Sequence, residues 1–479
     1  MQSVKLITPK KIKTLHCFSL TILVLFLSFF KPAFSQDNSP YSRFGIGDLV
    51  PNTSITSRGM GGITAGYKDV LSINFNNPAS YHGFQVQQLP TSKKSMNGRP
   101  IFDVGMNFET RTLQQTSDGK KFTASNALFS YVQIGVPIKR NWGLSLGLRP
   151  VSRISYKIFR EETLFDPNTG SQIEKSSTRF EGDGGSYLAT IGTGFTVYHK
   201  LHGPKDNRYL IEENLSFGFN TGYFFGKKDY ASKRSIINDT VEYQQASYDT
   251  KTGFGHVYLD GGLQYTYPIN RKYYFTLGAY GTLEEKINAT QDKNVQTFLF
   301  DPNFGDVRLD SVSQVNDVKG KIVMPGSFTF GFVIGKEQAT PKDNRWLLGL
   351  DLSMRNWNKY RFYGQSDSVK NTWQLRLGGQ YIPAPKNSLF NNIAYRAGFF
   401  VGPDYINLRK TLPQYGVSLG FGLPIMGQNR LSPYQLSLLN LSFEYIKRGN
   451  NDNLLKENLF RVSASFSLTD IWFIKRRYD

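Results

Sequence analysis

Phe460-Arg461-Val462-Ser463-Ala464-Ser465-Phe466-Ser467-Leu468 alternates without exception. Phe460, Val462, Ala464, Phe466 and Leu468 fall on one face, and Arg461, Ser463, Ser465 and Ser467 on the other. A period of two is strand geometry, because successive Cβ atoms leave opposite sides of the pleat. A helix would mix the two classes at every third and fourth position. An apolar face for lipid and a polar face for a water-lined interior are what a membrane β-barrel needs of each strand.

Thirteen other stretches read similarly, near 102–113, 122–137, 141–160, 176–199, 209–227, 247–268, 271–289, 319–336, 345–356, 369–382, 392–402, 411–424 and 433–448, the quoted stretch belonging to 458–473. Leu144, Leu146 and Leu148 oppose Gly143, Ser145, Gly147 and Arg149, and Leu375, Leu377 and Tyr381 oppose Gln374, Arg376, Gly378 and Gln380. The expected fold is all-β: an antiparallel transmembrane barrel of about 14 strands over residues 101–479. Residues 36–100 differ. They are rich in Gly, Asn, Ser and Pro, lack long alternation, and predict a compact irregular segment.

The links between segments predict an orientation. Pro137-Ile138-Lys139-Arg140-Asn141, Pro268-Ile269-Asn270-Arg271 and the repeated Pro-Lys-Asp-Asn-Arg at 204–208 and 341–345 are turn sequences, expected on the periplasmic side. The polar stretches 228–246 and 290–318 are expected as long extracellular loops. Trp142, Tyr273, Tyr274, Trp346, Trp357, Tyr360, Trp373, Trp472 and Phe473 cluster at segment ends, as interfacial aromatic girdles do.

Residues 1–35 read as a signal peptide. Lys5, Lys10, Lys11 and Lys13 precede an apolar core from Cys17 to Phe30, and Ala33-Phe34-Ser35 is a small-x-small cleavage site. That core is short for a spanning helix, which needs about 20 residues. The single cysteine, Cys17, lies within it, so a mature chain would have no disulfide, thiolate metal site or Cys nucleophile. The net charge is +20, of which five lysines before residue 36 supply +5, leaving +15. On an exported barrel such charge points away from nucleic acid. It points to anionic outer-membrane lipid, lipopolysaccharide phosphates included, or to anionic solutes. Hydrophobic residues make up 39% and aromatics 14%, and the mean hydropathy is −0.37; a wall whose alternate residues avoid lipid has this dilution. The expected location is the bacterial outer membrane.

The irregular segment carries a specific pattern. Ser57-Arg58-Gly59-Met60-Gly61-Gly62-Ile63-Thr64-Ala65-Gly66-Tyr67-Lys68-Asp69 is followed by Ser72-Ile73-Asn74-Phe75-Asn76-Asn77-Pro78-Ala79-Ser80. This resembles the opening segment of the FadL family of outer-membrane transporters, in the style of Bacteroidetes members. The resemblance covers the whole mature chain. It implies that residues 36–100 form a hatch inside the barrel, with Gly59, Met60, Gly61, Gly62, Asn76, Asn77, Pro78 and Ala79 as its marked residues. It further implies passive diffusion of hydrophobic small molecules, such as long-chain fatty acids, with lateral exit where the third strand kinks. Pro150, which cannot donate to a ladder, is the candidate for that opening. The polar stretches 228–250 and 290–318 offer no evident apolar capture groove, which favours an alternative. Barrels of this type also serve in Bacteroidetes as subunits or scaffolds of larger envelope machines, in type nine secretion and in barrel assembly, with protein partners instead of a solute.

No catalytic constellation is expected. His199 and His202 sit at a strand end and turn with no third ligand in reach of the pattern, so no metal is expected there. Asp166-Pro167-Asn168-Thr169-Gly170 and Asp301-Pro302-Asn303-Phe304-Gly305 read as turns and not calcium loops. His256 finds no serine partner in the pattern, and no nucleotide or energy-coupling motif is present. The chain reads as a non-enzyme without cofactor.

Overall fold

The computed structural model describes residues 39–88, 95–202, 211–237, 244–301, 303, 305–338, 340, 343–385, 389–408, 410–425 and 436–469. The signal segment, the 204–208 turn and Trp472-Phe473 lie outside the described residues.

Fourteen antiparallel strands close on themselves. They are β1 (Ile101–Gln115), β2 (Lys121–Lys139), β3 (Trp142–Phe165), β4 (Gln172–Lys200) and β5 (Glu213–Ile237). Next come β6 (Gln245–Pro268), β7 (Tyr273–Thr282, continuing as Glu285–Asp301), β8 (Gly305–Met324, continuing as Ser327–Lys336) and β9 (Arg345–Arg355). The circuit ends with β10 (Thr372–Ile382), β11 (Ala394–Asn407), β12 (Thr411–Ile425), β13 (Leu436–Arg448) and β14 (Leu455–Thr469). Each strand pairs with its neighbours in sequence, and β14 pairs with β1 from Leu455↔Gln115 to Thr469↔Ile101. Closure leaves no sheet edge within the membrane, which is the condition for strands to span it. The chain is an outer-membrane β-barrel.

The alternation is realised inside out. In β14, Phe460 and Phe466 are 48% and 39% exposed, whereas Arg461, Ser463, Ser465 and Ser467 are buried. In β1, Phe102 and Met106 are exposed and Asp103, Asn107, Glu109 and Arg111 are buried. The outer belt is therefore apolar, with Leu146, Ile191, Phe217, Phe219, Leu277, Phe330, Leu377 and Leu419 among its exposed members. The expectation that the polar face lines water is corrected. Much of it packs against protein, because residues 39–84 lie against it, and part of it borders an internal cavity.

Strand length is uneven around the barrel. β9 and β10 have 11 residues each, close to the 9–11 that cross a bilayer, whereas β4 has 29. The ladders of β3 to β8 run on to the turn at 166–171 and to the pair Asp301↔Gly305. The surplus in β4 amounts to roughly 60 Å measured along the strand at about 3.3 Å per residue. One side of the barrel thus rises as a curved wing. The predicted long loops at 228–246 and 290–318 are corrected accordingly. Among the described residues of those stretches all but Gln244 and Asn303 are ladder, rich in Tyr, Val, Thr and Phe that suit a pleated surface. At the wing end the connections are short except 356–371 between β9 and β10, and the link 383–393 lies at the opposite rim, where Ile101 meets Thr469. The asymmetry lies in strand overhang and not in loop length.

Two girdle assignments also change. Trp357 and Tyr360 are 1% and 0% exposed and belong to the interior, whereas Trp142 and Trp373 are exposed at strand ends. A short 3₁₀ turn, Trp357–Lys359, folds them inward after β9.

Candidate functional site

The interior is built by the N-terminal segment and the inward face of the wall. Ser54 caps the single helical turn Ile55–Arg58 by accepting from the Ser57 N–H, and Asn77 caps the 3₁₀ turn Pro78–Gly83 by accepting from the Ala79 N–H at 3.1 Å. Gly61 and Gly62 have φ of +67° and +85°, so the chain reverses sharply there at no Cβ cost. Asp48–Leu49 forms a two-residue strand on β3, with Asp48 opposite Arg153 and Leu49 opposite Ser152.

All eight marked residues of the segment come to the inner wall or to neighbours of that strip. A Cβ on Gly378 would collide with the Met60 carbonyl, one on Gly398 with the Gly61 nitrogen, and one on Gly420 with the Gly59 Cα. Asn77 Nδ2 donates to Ala65 O at 2.7 Å and Leu263 O at 3.2 Å, and Asn76 Nδ2 donates to Asn52 O at 2.7 Å. Pro78 lies where a Cβ on Gly194 or Gly218 would be, and Ala79 is fully buried beside it. Gly143, Gly262 and Gly278 meet Tyr81, Asn77 and Ala65 in the same way. Glycines on eight of the strands thus form a track without side chains, in which the segment's backbone sits.

Polar side chains fasten the segment to that track. The Arg58 guanidinium, buried, donates to Asn107 Oδ1 at 2.6 Å, Ser130 Oγ at 2.7 Å and Ser463 Oγ at 3.4 Å, and to the carbonyls of Pro51 and Thr53. Asp351 Oδ2 accepts from the Thr64 and Ala65 N–H groups at 2.6 and 2.9 Å, and Ser418 Oγ accepts from the Gly61 N–H at 2.9 Å. The charge on Arg58 is thus carried by neutral acceptors, and Asp351 is spent on backbone donors.

A second lock is ionic. Asp48 meets Arg111 at 2.6 Å and Arg448 at 2.9 Å. Arg448 also meets Asp404 at 2.9 Å and Glu457 at 3.3 Å, and Arg111 meets Glu457 at 3.0 Å. Below them Arg461 holds Glu109 at 2.6 Å and Glu444 at 3.2 Å. Burial would raise the Asp48 carboxyl, but Arg111 and Arg448 overcome it and hold the group well below the usual carboxylate range. The sequence reading did not single these residues out. Their signal was available: Glu109/Arg111, Glu444/Arg448 and Glu457/Arg461 sit two or four apart and so share the polar face of their strands.

The apolar part of the interior is filled. Tyr41 and Ile46 pack with Leu188, Phe224, Ile287, Ile322, Trp357, Tyr360 and Tyr405, and the Trp357 and Tyr405 rings are 4.4 Å apart. The void among Ile46, Phe224, Phe254, Ile287 and Tyr360 measures 10 Å³, room for about one water. A larger cavity of 340 Å³ lies in the barrel beside the ionic cluster, and its wall carries Arg58, Arg111, Arg355, Arg376, Arg448 and Arg461.

Pro150 stands where the wall changes partners. The β2–β3 ladder stops at Val132↔Leu148, although β2 continues on β1 to Lys121. Past that point β3 receives the N-terminal segment instead: Val50 N–H donates to Val151 O at 3.0 Å and Ser39 N–H to Ser155 O at 3.1 Å. The β3–β4 register slips between Pro150 and Ser152. The two histidines take separate carboxylates. His202 Nε2 contacts Glu213 at 2.6 Å and His199 Nε2 lies 3.5 Å from Glu212, and no group of three or more metal-type ligands occurs among the described residues. Asp166 Oδ1 accepts from the Asn168 N–H at 2.8 Å, a turn contact.

The glycine-lined wall, the N-terminal residues seated on it and the full length of the barrel all fall within one family match: the BamG family model spans residues 12–479. The chain belongs to the BamG family. Solved structures similar to this BamG-family barrel include the CymD monoaromatic hydrocarbon channel, at 13% identity over 88% of this chain and 98% of that one, with a TM-score of 0.47. A Pseudomonas aeruginosa FadL homologue gives 14% identity over 89% and 99%, with 0.49, and the Pseudomonas putida toluene transporter TodX 14% over 89% and 99%, with 0.45. A sequence comparison with curated proteins gave no match.

Proposed function

We propose that this chain is a barrel subunit of a larger outer-membrane assembly, of the barrel-assembly kind, in keeping with its BamG family. In this reading residues 39–84 are a fixed plug and the wing of β3 to β8 is the docking element. The observation that carries the proposal is the filled and fastened interior. A conduit for apolar solute needs a continuous apolar passage, and here Tyr41, Ile46, Trp357 and Tyr360 occupy the apolar interior while the 340 Å³ cavity carries six arginines in its wall. The test is affinity purification of the tagged chain from native membranes after mild solubilisation. Stoichiometric protein partners are expected, together with impaired insertion of other barrels in a depletion strain. Isolation of the barrel alone, with barrel insertion intact, would refute the reading.

One observation favours the transport reading as a second choice. The β2–β3 ladder ends at Leu148, two residues before Pro150, and Leu49, Val50, Pro51 and Val151 at that break also border the 340 Å³ cavity. In that reading hydrophobic molecules such as long-chain fatty acids cross by passive diffusion and leave laterally at Pro150. Loss of labelled fatty-acid uptake in a deletion strain, with barrel insertion unchanged, would favour it.

A further inference from the structure

On the β6 to β8 side the outer apolar belt rises to Val257, Leu283 and Phe328, which are 62, 82 and 56% exposed. Immediately above it the outward face turns cationic. On β7, Ile287 and Ala289 are buried inside, so alternation sends Lys286, Asn288 and Thr290 outward. On β8, Ile322 is buried, so Lys321 and Lys319 point outward as well. The register sets Lys286 opposite Val323, Lys321 opposite Asn288 and Lys319 opposite Thr290. Lys286 and Lys321 are therefore diagonal neighbours, at a spacing of about 7–8 Å.

All three lysines are exposed, and none has an ion pair or side-chain hydrogen bond among the described residues. The acids nearby do not neutralise them. Glu284 is taken by Lys359 at 3.1 Å. Asp292 stands opposite Lys251, and its Oδ1 accepts from the Asp317 N–H at 2.9 Å. Both of these aspartates lie beyond Thr290 and Lys319, on the side away from the belt. The floor beside the lysines is low, because Gly255 and Gly253 face Asn288 and Thr290 on β6. A Cβ on Gly253 would meet nothing within 4 Å.

Three like charges this close repel one another, and a polyanion relieves that cost. Their height selects which polyanion: ammonium groups one step above lipid-facing side chains stand at the headgroup level of the outer leaflet. We propose that Lys286, Lys319 and Lys321 bind the phosphates of an outer-leaflet glycolipid whose acyl chains run down over Val257, Leu283 and Phe328. The glycine shelf lets its sugar headgroup approach the strand backbone. The inference rests on the barrel's outer surface and is independent of what the interior does.

The experiment measures binding of bisphosphorylated lipid A to the full barrel in neutral detergent, by native mass spectrometry at constant ionic strength. Saturable binding is expected, with the Kd raised at least tenfold in Lys286→Gln/Lys319→Gln/Lys321→Gln. Lys175→Gln/Lys293→Gln/Arg308→Gln removes the same charge from exposed positions higher on the wing and should bind as the parent does. Fully dephosphorylated lipid A should bind the parent at least tenfold more weakly. No saturable binding, an undiminished affinity in the first triple variant, or an equal loss in the second overturns the site. Equal affinity for the dephosphorylated lipid also overturns it, since the belt alone would then hold the lipid. A readout on the unmodified protein covers a variant that fails to fold: the phosphorylated lipid should slow acetylation of Lys286, Lys319 and Lys321 at least fivefold and leave Lys293 unaffected. Equal acetylation with and without the lipid counts against the site in the same way.

Discussion

Asp48 is the residue on which the N-terminal segment and three wall strands converge, through Arg111 on β1, Arg448 on β13 and, beyond them, Glu457 on β14. Removing one member of a buried ion cluster leaves the others unpaired, which costs about 3–5 kcal/mol. Asp48→Asn is therefore expected to lower the barrel's stability by about that amount in urea titration in detergent. Asp183→Asn, at an exposed pair with Lys227, should change it by less than about 1 kcal/mol. Acid should act on the same segment. Burial, reinforced by Lys68, pushes the His82 imidazole down to about 3. A group with a depressed basic pKa stabilises the fold while it is neutral in both states. That stability is lost as pH falls from about 6.5, where the unfolded histidine charges, towards 3. Asp48 adds a second loss below about 3.9, since its carboxyl titrates lower folded than unfolded. The unfolding midpoint should drop between pH 7 and pH 4.5, and His82→Phe should flatten that part of the curve and leave the steeper fall below it.

At the scale of elements, the wall's glycines and the segment's backbone form one interlocking part. A Cβ on Gly398 would strike the Gly61 nitrogen, and Gly378 and Gly278 face Met60 and Ala65 equally closely. Gly398→Val is expected to leave the outer ladder intact, because the side chain points inward, while expelling residues 59–62 from their track. Its measure is planar-bilayer conductance: the parent should show no sustained large conductance, and the variant frequent openings with heat-modifiable barrel mobility retained. An equally silent variant would mean that the segment does not fill the pore. These elements also mark how far the sequence could be read. Every one of the fourteen segments holds a strand, because lipid on one side imposes a strict period of two, but 209–227, 271–289 and 319–336 miss ten or more residues of overhang. What the period cannot say is what the inner face touches. Ser463 and Ser465 read as water-facing serines, yet Ser463 receives Arg58 and Ser465 is buried. The ionic cluster brings together residues more than 300 positions apart, such as Glu109 and Arg461, and only barrel closure makes them neighbours. Trp357 and Tyr360 likewise read as interfacial by position, and a 3₁₀ turn after β9 carries them inward instead.

At the scale of the molecule, the wing is the feature a solitary barrel does not need. Its strands β3 to β8 extend far beyond the span a bilayer requires, whereas β9 and β10 stop after 11 residues. Its surfaces carry exposed Phe159, Phe165, Tyr248, Val312 and Val315 among charged groups, including the Arg179, Lys233 and Asp306 cluster that ties β4, β5 and β8 together. Ladder of this length costs conformational entropy in every residue it orders, about 1–2 kcal/mol each for the backbone. In the proposed reading, docking on the wing offsets that cost. Shortening the β3–β4 hairpin in register, by removing 160–178 and joining Phe159 to Arg179 through a two-residue turn, keeps the pairing below it, since those residues are opposite one another. The shortened barrel should fold and reach the outer membrane at parental levels, because the membrane-spanning ladders and the N-terminal segment's contacts lie beneath the cut. Its partners should be lost from affinity purification by at least tenfold, with the interior unaltered. If partners remain at parental stoichiometry, docking resides on the barrel's lipid-facing belt or its proximal rim, and the wing has another purpose.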